Sequence, residues 1–222
     1  IAGPVLTGIL FLIVLSIAWG EDRGEVLGLP FIEFLAPGLI SMQVIQQSFS
    51  HSSSSLLGGK MMGNIIDLIG SPLSSKEVTL AIILASVTRA FIICLVSIFC
   101  FNLFVEIKIL NYFYFFFFLI NSSFLMGALG FVAGIWADRY DNMATVTNFV
   151  IVPLSFLSGA FYSIDRLPNV LKEMSFYNPF FHMIDGLRFS MIGISDGSTL
   201  FGLFYLSSFS LVLWSIAYYL YK

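Results

Sequence analysis

The sequence has little charge, little cysteine and little histidine. Of its 222 residues only 10% are charged, the net charge is −3, and there are two histidines and two cysteines. No run of Lys or Arg occurs, which argues against nucleic-acid binding and against a polybasic lipid-binding tail. Cys94 and Cys100 both lie within one apolar run, so we interpret them as small buried side chains and expect no metal site there.

Motifs for nucleotide binding and hydrolysis are also absent. Gly59 and Lys60 lack the upstream glycine and the following Ser or Thr of a phosphate-binding Walker A loop. No HExxH or GxSxG pattern occurs, so an intramembrane hydrolase has little to work with. An ion-coupled carrier usually needs a carboxylate in the middle of an apolar run, and no carboxylate clearly lies in such a position. We therefore expect no enzyme activity and no cofactor in this chain.

Apolar residues dominate instead. The chain is 58% hydrophobic and 17% aromatic, with a mean hydropathy of +0.95, which is more apolar surface than one soluble core can bury. A membrane span needs about 20 apolar residues to cross about 30 Å of hydrocarbon. We predict an all-α polytopic membrane protein with six spans, at Pro4–Trp19, Phe34–Leu57, Val78–Phe104, Asn111–Ala137, Met143–Tyr162 and Thr199–Tyr221. An acidic loop, Gly20–Glu33, separates the first two.

A polar segment at 58–78 joins the second and third spans. Its apolar residues recur at helical spacing, which predicts a short amphipathic helix over Gly58–Ile69, ended by Gly70 and Pro72. Ser74 and Glu77 have the capping-box spacing that begins the next helix. The amphipathic helix either joins two spans at the membrane surface or docks onto a partner protein. The candidate docking residues are Met61, Asn64, Ile65, Ile66, Asp67 and Leu68.

The second and third spans carry polar groups that lipid would penalise. Gln43, Gln46 and Gln47 lie in the second span, which also contains His51 and a run of serines. Arg89 lies about a third of the way along the third span and must be paired or hydrated. These four candidate residues either line a transport pathway or hold the helices together. The fourth span carries Gly130 and Gly134, whose spacing permits close helix packing.

The segment between Ser163 and Gly193 is too polar to span the membrane. Two prolines predict two short helices, at Pro168–Phe176 and Pro179–Met191, which we interpret as an outer re-entrant or interfacial pair. Asp185 and Arg188 lie three residues apart, so we expect them to pair on one helical face. The segment acts either as an outer gate or as a structural lid, and its candidate gate residues are Phe180, Phe181, Met183, Asp185 and Arg188.

Four stretches together resemble the membrane subunit of type-2 ATP-binding cassette (ABC) exporters. They are FLAPGL at Phe34–Leu39, IGSPLSSKEV at Ile69–Val78, NFVIVPLSFLSGAFYSIDRLP at Asn148–Pro168 and YNPFFHMIDGLR at Tyr177–Arg188. Their order and spacing extend the resemblance over nearly the whole chain. The resemblance implies one transmembrane domain over residues 1–222 with both ends cytoplasmic, and it makes the bridging segment a coupling helix.

The resemblance also implies partners and a location. It implies two permease subunits, as a homodimer in the bilayer of the bacterial inner (plasma) membrane, and two separate ABC ATPase subunits that hold ATP and Mg. This family usually carries a cytosolic N-terminal segment with an amphipathic interface helix, which we expect to be missing from the sequence. The alternative is a self-sufficient carrier or channel without an ATPase. The substrate cannot be read from the sequence.

Overall fold

The computed structural model describes residues 2–19, 25–66, 70 and 72–222. Long helices dominate these residues, and a two-residue antiparallel hairpin, β1 (Glu25–Val26) and β2 (Leu29–Pro30), precedes the second helix. In chain order the α-helices are α1 (Ala2–Trp19), α2 (Phe31–Met61), α3 (Ser75–Phe101), α4 (Tyr112–Trp136), α5 (Tyr140–Val146), α6 (Val152–Leu157), α7 (Asn169–Tyr177), α8 (Pro179–Ile192) and α9 (Thr199–Tyr221). A π-helix, Thr147–Ile151, joins α5 to α6, and a 3₁₀ turn, Ile164–Arg166, precedes α7.

Helix α2 lies at the centre of the bundle and packs against α1, α3, α4 and α8. We call the end of the bundle that carries residues 62–66 and 72–74 the bridge end. The other end, with β1, β2, α7 and α8, is the hairpin end. At the bridge end, the Lys60 ammonium donates hydrogen bonds to the Ile135 and Ala137 carbonyl oxygens, which ties α2 to the end of α4.

Local capping signals set several helix boundaries. The Ser74 and Glu77 side chains form a reciprocal capping box at the start of α3, as predicted. The Asn178 side chain accepts a hydrogen bond from the Phe180 amide, with Pro179 as the first residue of α8. Gly193, at φ +75°, ends α8 in the left-handed conformation that glycine adopts without strain. Two of the predicted helix starts are therefore confirmed by their caps.

Three helices in the described part of the chain are long and apolar enough to cross a membrane: α3, α4 and α9. Helix α1 is apolar but shorter. The predicted fifth span is not one regular helix, because a π-helical turn interrupts it just before Pro153, whose nitrogen cannot donate a helical hydrogen bond. The chain is thus an all-α membrane protein, and its described residues include three candidate spans.

The structure corrects three predicted boundaries. Glu33 lies in the first turn of α2 and not in a loop, because the hairpin shortens the connection after α1. Helix α2 continues through Gly58 to Met61, so no separate amphipathic helix begins at Gly58. The break comes instead at Gly63, at φ +77°. The helical segment of the predicted fifth span ends at Leu157, before Tyr162.

Glycines allow α2 and α4 to approach closely, as the spacing of Gly130 and Gly134 predicted. A Cβ added at Gly130 of α4 would overlap the Phe49 carbonyl oxygen of α2. A Cβ added at Gly134 would press on the backbone of Ser53, also of α2. Backbone atoms cannot move aside as a flexible side chain can. These positions therefore tolerate no larger residue without separating the two helices.

We expect Gly130→Ala to destabilise the protein by about 1–3 kcal/mol, as overpacking of a close-packed site does. Thermal unfolding of the detergent-solubilised protein measures this loss. Gly59→Ala is the matched control: Gly59 also lies in a helix, no atom lies within 4 Å of its added Cβ, and alanine favours helix. Equal unfolding temperatures for the two variants would contradict the packing argument.

Candidate functional site

A cleft of about 410 Å³ opens between α1, α2 and α6. Three amides on α2, those of the predicted residues Gln43, Gln46 and Gln47, lie together in its wall. The rest of the wall is mainly apolar and aromatic, and it is formed by Pro4, Thr7, Gly8 and Phe11 of α1, Leu39 and Met42 of α2, and Val152 and Phe156 of α6. A mostly apolar cleft with a few polar groups is typical of a site for an amphipathic molecule.

Gln43 is held in this wall by the neighbouring helices. Its Oε1 atom accepts a hydrogen bond of 2.6 Å from the Ser97 hydroxyl of α3. Its Nε2 atom is buried and has no hydrogen-bond partner in the protein. A Cβ at Gly8 would overlap the Gln43 amide, so the glycine leaves space for it. The wall of the cleft therefore contains a buried amide nitrogen, packed against α1, whose hydrogen bond is unmade within the protein.

Arg89, the fourth predicted pathway residue, lies apart from the cleft. It is near the middle of α3, where its Nη1 atom lies 3.1 Å from His51 Nδ1 of α2. Arg89 is half-buried, and its Nε atom has no hydrogen-bond partner. The structure thus brings the three glutamines together and places Arg89 beside His51, further along α2 toward the bridge end.

Most of the predicted docking residues that the structure describes are exposed at the bridge end. Met61 ends α2, and Met62, Asn64 and Ile66 follow it with their side chains exposed, whereas Ile65 is half-buried. Two further predicted residues, Asp67 and Leu68, lie outside the described residues. Leu73 is also exposed, just before the α3 cap. The bridge end therefore carries several exposed apolar side chains between two helices that are fixed in place.

The predicted gate residues are all buried inside this chain at the hairpin end. Phe180, Phe181 and Met183 have at most 3% of their surface exposed. The Phe181 ring packs edge-on against Phe176 of α7, with centroids 5.5 Å apart. These contacts are typical of a packed structural core, and they fill the space between α8 and its neighbours.

Arg188 pairs with a residue other than the predicted one. Its Nη1 atom lies 3.8 Å from the Asp196 carboxylate, and both side chains are fully buried. Its Nη2 atom donates a hydrogen bond of 2.7 Å to the Gly159 carbonyl oxygen, and the guanidinium lies over the Phe34 ring at 3.9 Å. The carboxylate within 4 Å of Arg188 is thus that of Asp196, while the predicted Asp185 attracts the guanidinium from the same cluster at longer range.

Asp185 has a different role in the same cluster. Its two carboxylate oxygens accept hydrogen bonds from the backbone amides of Asp196 and Gly197, at 2.8 and 3.1 Å. Asp196 in turn accepts a hydrogen bond of 2.6 Å from the Ser163 hydroxyl. Asp185 thus holds the turn after α8 in the position from which Asp196 reaches Arg188.

Sequence reasoning missed His51 as a partner of Arg89 and Asp196 as a partner of Arg188. The glycines at 193 and 197 predict a turn around Asp196, and a carboxylate in a turn after a helix can fold back onto it. That signal was available, but only the fold shows which basic residue it reaches.

Among the residues that the structure describes, no group of three or more His, Cys, Asp or Glu side chains is placed to hold a metal. A helical bundle with apolar helices long enough to cross a bilayer is typical of a polytopic membrane protein. The sequence pattern of the ABC-2 type transporter family matches residues 1–192, so the chain belongs to that family.

Named relatives agree with this assignment. The chain is 29% identical over 217 residues to the inner membrane transport permease YadH of Escherichia coli, covering 96% of this chain and 85% of the relative. It is 36% identical to nodulation protein J of Rhizobium leguminosarum over 66 residues, covering 30% of this chain and 26% of the relative. The chain is a membrane permease of an ABC transporter in the bacterial inner membrane, and a transport subunit rather than an enzyme.

Proposed function

We propose that this chain is the membrane-spanning subunit of an ATP-driven exporter. Two copies form the transport pathway, six segments of each copy cross the membrane, and residues 1–222 act as one transmembrane domain. Separate ATPase subunits bind ATP and Mg and drive the cycle. Membership of the family supports the class of the protein, and the exposed apolar side chains at the bridge end support the proposed coupling there.

The observation that carries this proposal is the exposed apolar surface at the bridge end. Met62 is 75% exposed and Ile66 is 72% exposed, although the neighbouring α2 and α3 are capped and anchored. Exposed apolar side chains grouped on a polar segment between two anchored helices are typical of a protein-docking surface. Docking there would transmit movement to α2, which forms the wall of the cleft.

We propose that the cleft between α1, α2 and α6 belongs to the transport pathway. Its glutamines provide hydrogen bonds, and its aromatic side chains accept apolar groups. Helix α2 connects this wall to the bridge end, because it is one continuous helix from Phe31 to Met61. A movement of α2 at the bridge end would therefore also move the α2 side chains that line the cleft.

Co-purification tests the assembly. We expect an affinity-tagged permease, expressed together with a candidate ABC ATPase subunit from the same organism, to retain that ATPase through gel filtration in detergent. The complex should hydrolyse ATP faster than the ATPase alone. Transport by the permease without any bound ATPase would instead support the alternative, a self-sufficient carrier or channel.

We expect cysteines on the π-helix between α5 and α6 to cross-link two copies of the chain. Phe149 is 78% exposed on a helix beside the cleft, as a residue at a two-fold seam would be in a single copy. With Cys94 and Cys100 replaced by alanine, Phe149→Cys should give a covalent dimer on oxidation in membranes. Phe204→Cys, on α9 and 69% exposed, is the control. Dimers from Phe204→Cys alone would place the seam elsewhere.

For the hairpin end we propose the structural role. The candidate gate residues already fill contacts within their own chain, so their replacement should lower stability before it opens a leak. Phe180→Ala combined with Phe181→Ala distinguishes the two roles. Loss of stability supports a lid, whereas normal stability with faster basal ATP hydrolysis supports a gate.

A further inference from the structure

Arg89 is a charge in the middle of an apolar helix. Helix α3 is one of the helices that are long and apolar enough to cross the membrane. At a rise of about 1.5 Å per residue, Arg89 lies roughly 20 Å from either end of it. A guanidinium at that depth is expensive unless an anion or water compensates its charge.

The described residues give Arg89 no acidic partner. Within this part of the chain the ion pairs are Lys108–Glu106, Lys172–Asp165 and Arg188–Asp196. The side-chain partner of Arg89 is His51: the Arg89 Nη1 atom lies 3.1 Å from the His51 Nδ1 atom. Because arginine only donates hydrogen bonds, His51 accepts through Nδ1 and carries its ring hydrogen on Nε2. The two residues therefore present donors and positive charge together.

Among the residues that the structure describes, a second copy would bring no helical carboxylate to this depth either. In the described helices longer than ten residues, Glu33 and Glu77 lie in first turns, and Asp185 is the acidic residue in an interior. Asp185 lies at the hairpin end and is already bonded to two backbone amides. With no carboxylate at this depth among the described helices, water or an anionic group of a bound molecule compensates the charge of Arg89.

The surroundings of Arg89 indicate what kind of molecule this is. Gln47, Ser50, His51 and Ser54 recur at three- and four-residue spacing, so a polar face of α2 continues from the cleft to Arg89. On α3, the apolar side chains of Leu84 and Ile92 are exposed on either side of it. A site with a cationic fork, a polar track and apolar flanks suits an amphiphile with an anionic group.

We propose that Arg89 and His51 bind the phosphate group of an amphipathic, lipid-like substrate. Arginine matches a phosphate with two parallel hydrogen bonds. In this chain the Arg89 Nη1 atom lies beside His51, and its buried Nε atom has no hydrogen-bond partner in the protein. As an assignment of substrate class, this inference rests on the proposed export function, but the binding site can be tested without the ATPase.

The test measures binding of radiolabelled dodecyl phosphate to the full chain in dodecyl maltoside, a detergent without phosphate. We expect Arg89→Gln to weaken binding at least tenfold. Arg89→Lys should weaken binding less than Arg89→Gln, because the positive charge remains. It should still weaken binding relative to wild type, because lysine cannot form the two parallel hydrogen bonds. Inorganic phosphate and dodecyl trimethylammonium should not displace the probe. Lys108→Gln is the control, because it also removes one positive charge, but in an exposed loop away from Arg89. A hydrogen bond to Glu106 raises the pKa of Lys108, so the side chain is charged in the wild type.

Three results would overturn the proposal. Equal binding by the wild-type chain and by both Arg89 variants, each with a normal gel-filtration profile, would remove the site. Displacement by inorganic phosphate at the probe's own concentration would make it a free-anion site. Loss of the Phe149→Cys dimer in Arg89→Gln would make Arg89 a subunit contact. Failed co-purification of an ATPase would reject the export function and leave the binding result unchanged.

Discussion

Arg188→Met should lower stability more than any other single change considered for the hairpin end. The substitution leaves Asp196 buried without its cation, in a cluster where both side chains are excluded from solvent. It also frees the Gly159 carbonyl oxygen and removes the contact with the Phe34 ring. Removing one partner of a buried pair costs about 3–5 kcal/mol. The measurement is the temperature at which the gel-filtration peak is lost on heating.

A second variant separates charge from packing. Asp196→Asn added to Arg188→Met removes the uncompensated carboxylate and keeps an acceptor for the Ser163 hydroxyl, so it should restore a large part of the lost stability. Arg166→Met, at an exposed position, is the matched control and should be close to wild type. Wild-type stability of Arg188→Met would mean that the cluster does not hold the hairpin end together.

Ile66→Asp should uncouple ATP hydrolysis from the permease while leaving the fold intact. Ile66 is mostly exposed in the free chain, so a carboxylate there costs little until a partner covers it. Burying that charge in an interface would weaken docking by at least about 1.4 kcal/mol, which corresponds to about tenfold. We expect the permease-stimulated ATPase rate of the purified subunits, at fixed concentration, to fall by that factor.

The choice of Ile66 matters because its neighbour Ile65 is half-buried, so a charge at Ile65 would disturb folding as well. Val170→Asp is the matched control: it introduces the same charge at a position that is 70% exposed, at the hairpin end. Stimulated ATPase rates that are equal for Ile66→Asp and wild type would show that the bridge end is not the docking surface.

Much of the helical framework follows from local signals. The capping box of Ser74 and Glu77, the cap of Asn178 followed by Pro179, and the run Thr199–Tyr221 each predict a helix boundary that the structure has. Such signals act within a few residues of the boundary, so a single sequence contains them. The close packing at Gly130 is also readable, because small residues recur at a fixed spacing.

Features that depend on distant residues were not readable. The second span was predicted to end at Leu57, but α2 continues to Met61. In its last turn, Lys60 donates hydrogen bonds to two carbonyl oxygens at the end of α4. Helical spacing favoured Asp185 as the partner of Arg188, whereas the turn after α8 brings in Asp196. The cleft depends on three helices that are far apart in the chain, so its glutamines were found and its shape was not.

Site-specific photo-cross-linking at Ile66 tests the coupling claim most directly. A photoreactive benzophenone amino acid is placed at position 66 or, as the control, at position 170, and membranes containing permease and ATPase are irradiated. We predict an adduct of one permease and one ATPase from position 66 and none from position 170. No ATPase adduct from position 66, in membranes where the two proteins co-purify, would contradict docking at the bridge end.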